Sequence, residues 1–273
     1  MNDSDTRLVK DQLEREIEIS FPPQRIISLV PSQTELLFDL GLDEEVIGIT
    51  KFCVHPSTWF RAKTRLGGTK NLHLNKIISL NPDLIIANKE ENVAEQIDEL
   101  SKHFPLWISD VKNLDDAFTM IHAIGGIVNR KSESENLVAR IKKSIRNWQS
   151  GIQISKHWLC AYMIWQNPLM TVGSDTFIQH MLGIAGFENI FSDCIRYPEI
   201  SMEELQKRNP EFILLSSEPF PFKQKDADEL KLHLPNSKII LVDGEMFSWY
   251  GSRLLKAPEY FRQLFESIDP TSK

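Results

Sequence analysis

Residues 25–49, Arg-Ile-Ile-Ser-Leu-Val-Pro-Ser-Gln-Thr-Glu-Leu-Leu-Phe-Asp-Leu-Gly-Leu-Asp-Glu-Glu-Val-Ile-Gly-Ile, constrain the fold more than any other stretch of the chain. Ile26, Ile27, Leu29 and Val30 form a short apolar run, the pattern of a strand buried on both faces. Pro31 stops that run, and Ser32 followed by Glu35 has the spacing of a capping box, in which each side chain satisfies an orphan donor of the first helical turn. Leu36, Leu37 and Leu40 then recur at helical spacing, Gly41 offers a left-handed stop, and Val46, Ile47 and Ile49 begin a second strand. The Pro-Ser-Gln-Thr turn thus lies between the C-terminal end of a parallel strand and the start of a helix, where open α/β sheets take their ligands.

The same rhythm runs on. The pattern predicts strands at 26–30, 46–50, 84–87 and 106–108, with helices at 33–40, 74–80 and 92–103 between them. Strands alternating with helices through short loops imply a parallel sheet with right-handed crossovers. Residues 114–149 break the alternation. Phe118, Ile121, Ile124 and Ile127 mark one helix, and Leu137, Ile141, Ile145 and Trp148 mark a longer one over 133–149 that Gly151 ends. A second alternating stretch follows, with strands at 157–164, 212–216 and 238–242 and helices at 175–184, 201–208 and 253–268. Asn209-Pro210-Glu211-Phe212-Ile213-Leu214 echoes Asn81-Pro82-Asp83-Leu84-Ile85-Ile86 at a matching place. The organisation predicted is a polar N-terminal hairpin (1–23), an α/β lobe (24–112), a helical connector (113–155) and a second α/β lobe (156–273).

Composition excludes several classes. Net charge is −7, with no block of basic residues, which argues against nucleic acid. With 41% hydrophobic and 25% charged residues the chain is globular, and no apolar run reaches the length of a membrane span. Three scattered cysteines, Cys53, Cys160 and Cys194, imply no disulfide framework. The opening Met-Asn-Asp-Ser-Asp-Thr-Arg has no export-signal pattern. As written, that places the chain in the cytoplasm; the alternative is a periplasmic protein whose signal has been removed.

If both sheets are parallel, chemistry belongs at their C-terminal strand ends. The segment Glu245-Met-Phe-Ser-Trp-Tyr-Gly-Ser-Arg253 is the richest, with Phe247, Trp249, Tyr250 and Arg253 offering flat apolar faces and a cation. The competing explanation is that Trp249 and Tyr250 plug an interface between lobe and helix while Arg253 caps or pairs structurally. Trp165 before Asn167-Pro168, Tyr197 with Arg196, and Phe52 are further stacking candidates, and Ser32 and Gln33 offer donors at a helix start. The seven histidines show no metal-ligand spacing, so no metal site is expected. No nucleophile elbow or phosphate-cradling loop is present, so no catalytic residues are assigned. Asp243 and Glu245 are the one carboxylate pair that could serve an enzyme.

Five segments also carry a family resemblance. Arg25 to Gly41 resembles the opening of the class III substrate-binding proteins of cobalamin, haem and ferric-siderophore ABC importers. Asn81 to Ala87, Asp11 to Ile17 with Pro22 to Arg25, Gly186 to Ile190, and Tyr197 to Ser201 resemble further landmarks in the same order, spanning about residues 8 to 265. The vitamin B12-binding type is the nearest in pattern. The resemblance implies an α/β fold of two Rossmann-like lobes with parallel sheets, joined by a single long α-helix, with a ligand cleft between the lobes. It implies a monomer that binds a cobalamin-like or iron-chelate ligand, requires no cofactor, spans no membrane and hands its cargo to an ABC permease. In such proteins an acidic residue of each lobe docks on the permease. Glu203 holds that place in the second lobe, whereas Asn75 stands where the first lobe's acid is expected. Thr69 and Asn88 occupy places that are Trp in cobalamin-binding members. A cytoplasmic protein or enzyme handling corrinoids or iron chelates on the same scaffold is the alternative.

Overall fold

The computed structural model describes residues 5–151 and 158–268. His157, at the start of the strand expected over 157–164, lies outside them, as do 1–4, 152–156 and 269–273. In chain order the elements are β1 (Asp5–Lys10), β2 (Glu16–Phe21), β3 (Ile26–Ser28), α1 (Pro31–Asp39), β4 (Val46–Ile49), α2 (Ser57–Ala62), β5 (Thr64–Arg65), β6 (Gly67–Gly68), β7 (Asn71–Leu72), α3 (Leu74–Leu80), β8 (Leu84–Asn88), α4 (Ala94–Ser101) and β9 (Leu106–Ser109). There follow α5 (Leu114–Ile127), α6 (Lys131–Gly151), β10 (Trp158–Trp165), β11 (Met170–Thr171), α7 (Phe177–Ala185), β12 (Phe187–Asn189), α8 (Met202–Arg208), β13 (Phe212–Ser216), α9 (Gln224–His233), β14 (Lys238–Val242), α10 (Glu245–Ser248) and α11 (Ala257–Ile268). A short 3-10 turn, Ser252–Leu255, precedes the last helix.

The chain divides into two compact units. The first comprises residues 1–111, 115–141 and 250–253; the second comprises 112–114, 142–249 and 254–273. The long helix α6 carries the chain from one to the other, and Tyr250–Arg253 belong to the first unit although their neighbours on both sides belong to the second.

In the first unit β5, β4, β3, β8 and β9 form one sheet in that order, every pair parallel. The apolar runs explain it. β3 and β8 are buried along their whole length, as central strands covered on both faces must be. One side of the sheet packs Ile27, Leu29, Ile85, Ala87, Leu106 and Ile108 against Ile77, Ile97 and Leu100. β1 and β2 pair as an antiparallel hairpin, tied to β9 by Gln12 N–H donating to Ile108 O at 3.1 Å and by Trp107 Nε1–H donating to Lys10 O at 3.1 Å.

The start of α1 differs from the expected capping box. Pro31 is itself the first helical residue, Val30 is the N-cap, and no side chain caps the helix. Proline suits that place because its missing N–H would find no helical partner and its φ is already helical. Glu35 points instead to a partner described below. At the other end Gly41 turns with φ +84°, as a glycine stop should.

The second unit repeats the plan with β10, β13 and β14 parallel, β12 parallel to the first part of β10, and β11 antiparallel to its end. Its core packs Ala161, Met163, Ile213 and Leu215 against Phe191, Leu205, Phe222 and Leu230. Thr176 caps α7 by accepting Gln179 N–H at 3.1 Å, and Gly186 closes that helix at φ +94°. The helix expected at 253–268 begins at Ala257, after the 3-10 turn, with Pro258 in its first turn. Among the described residues no helix is long and apolar enough to cross a membrane.

Candidate functional site

In the first unit the strand ends β3, β8 and β9 meet in a buried polar network. Gln33 Nε2 donates to Ser109 Oγ at 2.5 Å, and Asn88 Nδ2 reaches the same oxygen at 2.9 Å. Ser109 Oγ donates onward to Ala87 O at 3.2 Å. Asn88 Oδ1 accepts from the N–H groups of Glu90 and Glu91 at 2.8 and 3.0 Å, and Asn92 Oδ1 accepts Asn88 N–H at 2.8 Å. These amide side chains serve the turn 89–92 as backbone partners would. Gln33 Oε1 is buried without a partner, a place where a bound water fits the chemistry.

Beside it, Thr34 Oγ1 lies 2.7 Å from Ser28 Oγ and 3.1 Å from Cys53 Sγ. Burial pushes the Cys53 thiol up to about 11, despite hydrogen bonds from Thr34 and Thr50, so it is an inert, protonated group. Phe52, next to it, is half exposed (51%) and its ring carries Lys51 Nζ at 5.0 Å.

Four residues from late in the chain complete this unit. The Arg253 guanidinium makes a two-pronged pair with Glu35, Nε and Nη2 each at 2.8 Å, and both side chains are buried. Ser252 Oγ donates to Asp39. Gly251 lies against the Ser32 carbonyl with no room for a Cβ. Tyr250 Oη donates to Glu91 Oε1 at 2.7 Å, and its phenol is pushed well above the usual range, first by burial and then by the Glu91 charge. The late segment was expected to offer Tyr250 and Arg253 to a ligand; in the structure both have partners within the first unit.

In the second unit Trp165 ends β10, 38% exposed, with Nε1–H on Asn167 O at 3.0 Å and its ring edge-on to Phe220 at 5.6 Å. Phe220 stands edge-on to Phe222 at 4.7 Å. The Glu218 carboxylate accepts from Ser248 Oγ at 2.5 Å and Trp249 Nε1 at 3.0 Å. Burial nevertheless pushes that carboxyl above its ordinary value, aided by the Glu245 and Asp243 charges. Phe247 and Trp249, expected at a ligand rim, are buried, Phe247 against Tyr162 and Phe261. Ser32 and Gln33 are likewise buried. Arg196 and Tyr197 are half-buried, with the guanidinium 5.6 Å from the phenol ring. Arg196 Nη1–H donates to Asp175 O at 2.9 Å, and its positive φ of 64° fixes the loop's turn. Asp243 and Glu245 are joined by Glu245 N–H donating to Asp243 Oδ1 at 3.1 Å. Among the described residues no three ligating side chains cluster as a metal site.

Glu91 was not singled out from sequence, whereas Glu218 and Phe220 lie in Ser217–Phe220, a segment expected at the C-terminal strand ends of the second lobe though neither was named as a ligand contact. Phe220, in Ser-Glu-Pro-Phe-Pro-Phe, had a signal: an aromatic between prolines cannot continue a strand or helix. Glu218 had only its place just after the strand expected at 212–216, and Glu91 had none.

A sequence profile described as "Periplasmic binding protein" matches residues 26–236, from β3 past α9. The chain belongs to that family. An uncharacterized ABC transporter substrate-binding lipoprotein of Bacillus subtilis (strain 168) is 26% identical over 273 residues, covering 96% of this chain and 85% of the relative. A vitamin B12-binding protein of Pectobacterium carotovorum is 26% identical over 256 residues, covering 92% of this chain and 91% of the relative. Among solved structures, a possible iron-binding, periplasmic solute-binding protein of Staphylococcus epidermidis superposes with a TM-score of 0.75 at 25% identity, covering 90% of this chain and 99% of that one. The family is one of binding proteins, and its match begins at the strand–turn–helix segment whose helix supplies Gln33 to the buried network.

Proposed function

We propose that this protein is the substrate-binding component of an ABC importer for a cobalamin-like or iron-chelate ligand, siderophore or haem, which it holds without chemical change and without a cofactor of its own. The match over 96% of this chain to a substrate-binding lipoprotein and over 92% to a vitamin B12-binding protein carries the reading. The exposed rings at the strand ends support it, since a large flat ligand needs flat apolar partners. Phe52 in the first unit and Trp165, Arg196 and Tyr197 in the second are the proposed ligand contacts. Ser32, Gln33, Phe247, Trp249, Tyr250 and Arg253 act by holding those surfaces in place. The two units are the two lobes of the receptor. The relatives include a lipoprotein, and they favour the exported alternative over the cytoplasmic expectation.

Glu203 is the proposed contact for a permease. It is exposed in the first turn of α8, and its own backbone N–H and Ser201 hold its carboxyl below the usual range. The deciding experiment titrates cyanocobalamin, haemin and a ferric hydroxamate into the protein while following tryptophan emission. One of them should quench wild-type emission at micromolar levels, and Trp165→Phe should lose much of that signal. Silence with all three would defeat the proposal.

A further inference from the structure

Tyr250–Arg253 belong to the first unit while residues 142–249 and 254–273 belong to the second. Each of the four residues has its own anchor. Arg253 pairs with Glu35 and Ser252 bonds to Asp39, both on α1. Gly251 rests on the Ser32 carbonyl and the Leu36 side chain, in the first two turns of the same helix. Tyr250 reaches past α1 to the turn after β8 and binds the Glu91 carboxylate. The strap therefore runs along α1 and closes on residues 89–92, the two segments that continue the C-terminal ends of β3 and β8.

The turn is built almost wholly from polar bonds. Lys89 N–H donates to Ser109 O at 3.0 Å, Lys70 Nζ donates to Glu90 O at 2.5 Å, and Asn92 Nδ2 reaches Leu29 O and Thr69 O at 3.4 and 3.3 Å. The buried Asn88 and Asn92 amides hold the inside of the turn by bonds of 2.8 to 3.0 Å, while its outer bonds are long or come from a flexible lysine and are the ones that open first. The Tyr250 bond differs in kind. A buried phenol donates to a carboxylate, and hydrogen bonds to a charged acceptor are stronger than neutral ones. The ring has little freedom, because Gly251 admits no side chain and Arg253 is locked by two bonds.

We infer that Tyr250 is a positioning residue for ligand recognition: through Glu91 it fixes the 89–92 turn, so a residue far along the chain sets the affinity of the first unit's strand-end surface. The inference rests on the reading that the ligand is met at those strand ends.

The test uses the full chain and two readouts. Tyr250→Phe deletes only the hydroxyl. Glu91→Gln keeps an acceptor oxygen for it, and Glu91→Leu removes the acceptor while leaving Tyr250 untouched. In hydrogen exchange, Tyr250→Phe and Glu91→Leu should speed the amides of Glu90, Glu91 and Asn92 by about ten-fold or more, with β10 and β13 unchanged and Glu91→Gln close to wild type. In titrations with cyanocobalamin, haemin and a ferric hydroxamate, the two disruptive variants should weaken binding of the responsive probe by about ten-fold, while Glu91→Gln stays within about two-fold. Unchanged exchange in the turn, or unchanged affinity alongside altered exchange, overturns the inference. If the wild-type protein binds none of the probes, the functional reading fails by itself, and the exchange result still decides whether Tyr250 positions the turn. Should Tyr250→Phe not fold, Glu91→Leu carries both readouts.

Discussion

The two units contain the same module, and they part company only where it ends. In the first, α3 is seven residues long, closes on Asn81 at φ +45°, continues through Pro82 and an acid, and enters the five-residue strand β8. In the second, α8 is seven residues long, closes on Asn209 at φ +48°, continues through Pro210 and an acid, and enters the five-residue strand β13. Both strands are buried throughout. The tips that follow are unlike. β8 ends in Asn88 and a network of amides and hydroxyls, whereas β13 leads into Phe220 and Glu218, whose carboxylate accepts from an indole. The comparison separates two tasks. A left-handed residue followed by proline and an apolar run fixes the backbone of either unit, and the residues just beyond the strand are free to specialise.

The largest expected effect tests how the first tip is held. It depends on an ion pair whose partners lie 218 residues apart, while the second tip is held by neighbours within about thirty. Arg253→Met takes both guanidinium bonds from the buried Glu35 carboxylate, and breaking a buried pair in this way costs about 3–5 kcal/mol. The loss should fall on the first unit, read as faster exchange in β3 and β8 with β13 protected. Adding Glu35→Leu should recover much of it. Equal loss in both units would mean that they do not fold as separately as their cores suggest.

Next come the matched anchors Ile77 of α3 and Leu205 of α8, the buried side chain of each helix. Truncating either to Ala should destabilise its own unit by about 2–4 kcal/mol, because each leaves a cavity under a short helix. Urea denaturation followed by exchange in β8 and β13 would show whether the modules are energetically as well as geometrically equivalent. A large imbalance would break the comparison.

How much of this was legible in the sequence follows from the range over which each signal acts. The module was readable because everything that makes it is local: Asn-Pro, then an apolar run of four or five residues. Strands 212–216 and 238–242 and helix 74–80 match the structure residue for residue. Helix α9 escaped because Gln-Lys-Asp-Ala-Asp-Glu-Leu-Lys shows mostly charge, and its buried face is little more than Ala227 and Leu230. β5, β6, β7 and β11 are two residues each, too short to carry any period. The exposure of the candidate residues was half legible. Trp165 and Phe52 stand out in sequence and are exposed in the structure. Arg253 and Tyr250 stand out equally, yet nothing near them in sequence announces Glu35 or Glu91. The same distance misled the reading of Ser32 and Glu35, which have a capping spacing while Glu35 is engaged elsewhere.

A finer test addresses the joint itself. Asn81 and Asn209 both sit in the left-handed region, which a residue with an ordinary Cβ enters at about 1 kcal/mol or slightly more. Asn81→Ala and Asn209→Ala should each lower stability by about that amount, and the glycine variants should be near neutral. Equal values in the two units would say that the joint is set by backbone conformation alone. A larger loss at one site would locate a side-chain task that the other lacks.

The smallest expected effect comes from the carboxylate that only the second tip carries. Glu218 is held above the ordinary value of 4.5 by burial, against the bonds from Ser248 and Trp249 that favour its charge. The folded protein therefore binds this proton more tightly than the unfolded chain does. The stability from that proton is full below the unfolded value and is lost as pH rises through the folded one. From the ordinary value of 4.5 upward, the second unit should thus lose a little stability with rising pH on this residue's account, until the folded carboxyl is ionised. Glu218→Gln keeps an acceptor for the indole and the hydroxyl but cannot ionise, so it should flatten that part of the slope. Denaturation midpoints across the window, read from exchange in β13, measure the difference. An unchanged slope would mean that Glu218 is not its source, and the two tips would then differ in shape and partners but not in how they answer to protons.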